Sequence, residues 1–206
     1  MKSFIIAALF ICSAAVATAQ QQDLNKYLAT AKTSYSANKL EDAHFALQQA
    51  MVEVDILTGK KVLQMIPTAL DTMHANTKND NVYANTGFIG ATIHREWGGM
   101  DGQQSSQSAQ LDIINNSPLI GTLNAFLNAP IIGGMMNSEK SRSIKIQGYK
   151  GRLNNNGENT SGPSEYELQI PLNTALVTFK VNGATQDQVM KYANSLPLQQ
   201  IAKLIQ

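Results

Sequence analysis

Between Asp112 and Glu139 the chain carries no charged residue, and this stretch lies between segments whose apolar and polar residues alternate. So many apolar side chains must be covered, by the fold or by something bound to it. Helical geometry divides the stretch in two. Ser117 is placed to cap a helix and Pro118 to start it. At about 100° per residue, Leu119, Ile120, Leu123, Phe126 and Leu127 then share a stripe about 120° wide. Such a helix docks on its own sheet. After Pro130 follows Ile131-Ile132-Gly133-Gly134-Met135-Met136, a loop in which Ile131, Ile132, Met135 and Met136 form the candidate apolar binding surface, since methionine adapts to irregular partners.

On either side of residue 87 the hydrophobic period differs. Before it, Leu24, Tyr27, Leu28, Ala31 and Tyr35 recur at helical spacing, with Asp23 placed as a cap. A second helix over 40–58 carries Leu40, Ala43, Leu47, Ala50, Met51, Val54 and Leu57, with Gly59 as its stop. The short turn between them makes an antiparallel hairpin. One more short helix is expected near 60–70. The run 74–86 is polar and asparagine-rich, which marks residues 75–86 as a linker.

Beyond the linker the period is two. Ala91 and Ile93, Leu111 and Ile113, Ile144 and Ile146, Tyr166, Leu168 and Ile170, and Val177, Phe179 and Val181 each alternate with polar residues, as half-exposed antiparallel strands do. Leu153 to Ser164 reads as a loop. Glu165 and Glu167 on one strand and Lys180 on the next are positioned to pair across the sheet. Thr185 and Gln188 form a capping box ahead of the stripe Val189, Tyr192, Ala193 and Leu196. The expected fold class is α+β: an N-terminal helical hairpin packed on or linked to an antiparallel sheet covered by helices.

Residues 1–19 have the three parts of a secretory leader: Lys2, an apolar run from Phe4 to Val16, and Ala17-Thr18-Ala19. Cleavage is expected between Ala19 and Gln20, giving an exported protein, periplasmic or secreted. Removal of the leader takes Cys12, the sole cysteine, so disulfides, thiolate nucleophiles and cysteine-held zinc are not expected in the mature chain. It also takes Lys2, which leaves equal numbers of acidic and basic residues. A balanced chain has no global field for nucleic acid, and no second apolar run is long enough to span a bilayer. The expected organisation is a leader over 1–19, the hairpin region over 20–74, a linker over 75–86 and a sheet domain over 87–206.

Residue patterns that carry chemistry are sparse. His44, His74 and His94 show no metal-ligand spacing, and no cofactor is expected. Ser36 and Lys39 have the spacing of penicillin-recognising enzymes without their other elements. His94, Glu96 and Asp101 around Trp97 offer the one place where a hydrolase site assembles from scattered residues. Lys140, Arg142, Lys145, Lys150 and Arg152 divide between strand faces and loop, as a solvated edge does. Asp71-Thr72-Met73 resembles the acceptor of bacterial envelope O-glycosylation systems, which points to Thr72.

Two family resemblances accompany this reading. Tyr27, Ala31, Leu40, Ala43, Leu47 and Ala50 resemble the packing positions of one tetratricopeptide unit, with Asn38 in place of the turn glycine and no second copy at that period. The closing hairpin and the capped helix containing Ala193-Asn194-Ser195-Leu196 are similar to the ends of PsbP-like and anti-sigma-associated domains, and imply an α/β sandwich. The expected function is a non-enzymatic exported envelope protein that binds an envelope protein or a lipid-like ligand through an apolar surface. A hydrolase near Trp97 and a purely structural envelope component are the alternatives.

Overall fold

The computed structural model describes residues 23–84, 90–98, 107–128, 140–157 and 164–205. The chain divides into two compact units between Leu57 and Thr58. In the first, helix α1 covers 23–36 and helix α2 begins at Leu40. Asn38 makes the reversal with a positive φ of 56°, a conformation asparagine tolerates better than most residues. The contact between the helices is made of methyl groups: Ala31 of α1 and Ala43, Ala46 and Ala50 of α2 are buried. Spacings of three and four keep the α2 alanines on one face.

α2 continues to Met65 without interruption, so Gly59 is not the expected stop and 60–65 is not a separate helix. The glycine serves packing. A Cβ at position 59 would lie 2.6 Å from Val82 Cγ1 and 3.3 Å from Ile93 Cγ1. The last turns of α2 thus approach the sheet as closely as a backbone can, and Val62 and Ile66 enter the core.

The second unit is built on a seven-stranded sheet in which every neighbouring pair is antiparallel. A two-residue ladder, β1 (Ala69–Leu70) with β2 (Met73–His74), precedes it. The strands of the large sheet are β3 (Asn81–Tyr83), β4 (Thr92–Trp97), β5 (Ser108–Asn115), β6 (Ser141–Ile146), β7 (Tyr149–Asn155), β8 (Glu165–Leu172) and β9 (Ala175–Asn182). Their order is β3-β4-β5-β9-β8-β7-β6. Two meanders, β3 to β5 and β6 to β9, are therefore joined along β5 and β9.

Helices α4 (Gln186–Ser195) and α5 (Leu198–Leu204) follow the last strand. The expected capping box is formed: Gln188 N donates to Thr185 Oγ1 at 3.3 Å, and Thr185 N donates to Gln188 Oε1 at 2.8 Å. Val189, Tyr192, Ala193, Leu196, Leu198 and Ile201 are buried with Ile93, Leu111, Ile113, Leu168, Ile170, Val177 and Phe179 in one cluster. One face of the sheet is thus closed by the end of α2 together with α4 and α5, and the fold class is α+β.

The uncharged stretch is the crossover from β5, in the middle of the sheet, to β6 at its edge. Helix α3 (Leu119–Asn128) lies against β7, β8 and β9 on the way. Leu123 is buried and Ile120 and Leu127 are half-buried, whereas Leu119 is exposed. Ile120, Leu123 and Leu127 of the stripe dock, and its first residue is left out.

The segment 75–84, expected as linker, is stitched into the sheet unit. β3 pairs with β4 as its edge strand, Ala75 bridges Trp97, and Asn76 N donates to Glu96 O. The tie with most leverage is Arg95. Alternation aims it inward with Ile93 and Trp97. Its Nε donates to Asp80 Oδ1 at 2.9 Å, Nη2 contacts Asp80 Oδ2, and Nη1 donates to the Ile66 carbonyl at the end of α2. Trp97 Nε1 donates to the Pro67 carbonyl at 3.0 Å. A planar guanidinium satisfies two oxygens of one carboxylate in a way lysine cannot.

β7 also departs from expectation, since 153–155 extend a strand where a loop was expected. Its inward slots are Tyr149, Gly151 and Leu153; a Cβ at Gly151 would lie 3.0 Å from the Gln169 carbonyl oxygen.

Two substitutions test this packing. Gly59→Ala should lower the unfolding free energy by about 1–3 kcal/mol from overpacking, although alanine favours a helix by about 1 kcal/mol; urea titration reads the sign. Arg95→Leu should cost about 3–5 kcal/mol by stranding Asp80. Arg95→Leu with Asp80→Leu should cost clearly less than the sum of the two single variants.

Candidate functional site

Register and alternation gather the polar residues of β4 to β9 on the face opposite the main core. Across the strands, His94, Asp112, Thr178 and Gln169 are successive Cα partners, and Glu96, Gln110, Lys180 and Glu167 form the adjacent row. His94 is the hub. It faces Asp112 Oδ1 through Nδ1 at 2.7 Å and Glu96 Oε1 through Nε2 at 3.1 Å. Outside these, Gln110 Nε2 donates to Asp112 Oδ2 at 2.7 Å and Asn79 Nδ2 donates to Glu96 Oε2 at 3.0 Å.

Burial works against charge on the His94 ring, but the hydrogen bonds and negative charges of Asp112 and Glu96 outweigh it, and the pKa is raised above 6.5. Protonation of the ring is thereby favoured, and in that state both nitrogens donate to carboxylates and neither offers a lone pair to a hydroxyl or a water.

Of the expected hydrolase constellation, His94 and Glu96 are brought together and Asp101 lies outside the described residues. Trp97 points to the other face, fully buried, with its ring edge-to-face on Phe179 at 6.3 Å. His44 and His74 are exposed on α2 and β2, and among the described residues no group of three His, Cys, Asp or Glu side chains is arranged to hold a metal ion. Lys180 Nζ lies 3.8 Å from Glu167 Oε2, the cross-strand pair expected from alternation. In the basic stretch, Lys150 donates to Asn128 Oδ1 of α3 at 3.0 Å and Arg152 Nε donates to Ser141 Oγ at 2.9 Å. Lys145 is exposed on the edge strand β6. Among the described residues no helix is long and apolar enough to cross a membrane.

The expected apolar surface, Ile131, Ile132, Met135 and Met136, lies outside the described residues, as do Ala19 and Gln20. Thr72 is exposed in the two-residue turn between β1 and β2, next to Asp71, which pairs with Lys191 at 3.0 Å.

An apolar surface of a different kind lies on the hairpin. Leu28, Tyr35, Leu40, Leu47, Met51 and Val54 are each 47–71% exposed. At about 100° per residue, Leu40, Leu47, Met51 and Val54 fall within about 60° of one another, roughly a quarter turn from the alanine seam of α2. Leu28 and Tyr35 are displaced from the seam of α1 in the same rotational sense. In an antiparallel pair, displacement in the same sense leads to the same side. Six large apolar side chains therefore share one side of the hairpin. The seam-forming role of alanine carries the signal: once Ala43, Ala46 and Ala50 make the helix contact, the leucines and methionine of α2 cannot. Asp55 of α2 is half-buried, and burial raises its pKa.

The described chain is thus an α+β protein with a polar cluster centred on His94 on its sheet and an exposed apolar side on its helical hairpin. Compared with protein-family models, curated proteins and solved structures, the chain shows no match.

The cluster has a pH signature. A histidine whose pKa is raised on folding contributes stability fully below its unfolded value of about 6.5 and loses it as pH rises through the higher folded value. The unfolding free energy of the wild type relative to His94→Gln should therefore be largest at mildly acidic pH and shrink toward alkaline pH. A difference independent of pH would mean that the ring is not charged in the folded state.

Proposed function

We propose that this protein is a non-enzymatic, exported component of a bacterial envelope that acts by binding, and that the binding surface is the apolar side of the hairpin formed by α1 and α2. The observation that carries this reading is the clustering of Leu28, Tyr35, Leu40, Leu47, Met51 and Val54 on one side, each about half exposed or more. Monomeric proteins rarely leave a contiguous apolar patch of this kind open, and such patches mark interaction sites. Helix faces with anchors at this spacing are read by other helices. The polar cluster around His94 supports the same reading from the other direction, since its ring nitrogens are both engaged by carboxylates.

A photo-crosslinking residue at Met51, introduced into the native host, tests the proposal. Attachment of a protein at Met51 and not at a control position such as Asp187 is the expected result. Recovery of extracted lipid in place of protein would assign the surface to a lipid-like ligand. Equal labelling at both positions, or none, would remove the reading.

A further inference from the structure

We propose that the apolar side of the hairpin is covered by the same side of a second copy of this chain, the two hairpins forming four helices about a two-fold axis parallel to them. The inference rests on the binding reading above and names its occupant.

Three observations favour a second copy. The first is matching height. The reversal is centred on Asn38, so residues whose numbers sum to about 76 lie level in the two helices. A two-fold axis along the helices keeps every residue at its height and lays α1 of one copy over α2 of the other. Tyr35 then meets Leu40 of the second copy, Leu28 meets Leu47 and Met51, and Leu24 meets Val54. No large apolar residue of the patch is left without a counterpart.

The second is charge. Lys32 stands on the outer margin of α1, and Glu41 on the outer margin of α2 within about one turn of its height. The same axis brings these opposite charges together twice. An axis running across the helices would instead lay α1 on α1 and α2 on α2, with like margins facing. The third is area. Six side chains with this exposure present on the order of 600 Å², so a symmetric pair covers on the order of 1,200 Å², the lower bound for a specific, stable interface. A two-fold pair also uses one patch twice, the commonest way in which soluble chains associate.

Sedimentation of the purified protein at micromolar concentration tests this. The wild type should run at twice the chain mass, and Leu47→Lys with Met51→Lys should run as a monomer whose circular dichroism still reports a folded chain, since both side chains are exposed in the single chain, with a thermal melt lowered only by the lost association. Lys32→Glu alone and Glu41→Lys alone should each raise the dimer dissociation constant about two- to five-fold, and the two together should restore it. A wild type that stays monomeric, or a dimer that survives the double lysine variant, would overturn the inference. If a monomeric wild type is crosslinked through Met51 to a different protein in the native envelope, self-association is wrong and the binding reading stands. If it is monomeric and nothing attaches, both are wrong.

Discussion

A single inward-pointing charge organises the second unit. Arg95 sits on the apolar side of β4 between Ile93 and Trp97, and its three nitrogens donate to the Asp80 carboxylate and to the Ile66 carbonyl just past α2. A cation at a helix C-terminus is favoured by the helix dipole. Here it also converts a polar, asparagine-rich segment into part of the sheet's edge. Removing the charge releases three things at once: the end of α2, the 75–84 segment and the inner side of β4. Buried ion pairs often add little net stability, because desolvation offsets attraction. This one acts chiefly by fixing where the chain goes after Ile66, which hydrophobic burial alone does not specify.

Alternation made most of the sheet legible. β4, β5, β6, β8 and β9 all show it, and the capping box at Thr185 marked α4 to the residue. β7 was not legible as a strand, in part because one of its inward positions is Gly151, which has no side chain to alternate with. β3 was hidden because three residues of an edge strand carry almost no pattern, and because its anchoring partners are far along the chain. Gly59 misled for a related reason: glycine ends helices, but it also permits close approach of backbone to a neighbour, and sequence does not distinguish the two. The His94 cluster depends on strand register, which brings Asp112 opposite His94 across 18 residues of chain; no local spacing reports that.

The hairpin shows a different limit. Large apolar residues at helical spacing suggest a core stripe, and Leu47 and Met51 read as one. The helices instead meet through alanines, which allow close contact, and the larger residues are displaced to one side. Burial of small side chains yields less hydrophobic stabilisation than burial of leucine. Two helices joined in this way have weak means of holding together unless the open side finds cover.

The pairing of β5 with β9 joins residues 60 to 74 positions apart, Asn115 with Ala175 and Ser108 with Asn182. The β6 to β9 meander, by contrast, closes through near neighbours in sequence. Closing long loops is entropically slow, and synthesis proceeds from the N-terminus. Until β9 emerges, β5 has an open edge and the first meander has no second half to join. Completion of the sheet thus waits on its latest strand, and until then β5 is open to mispairing.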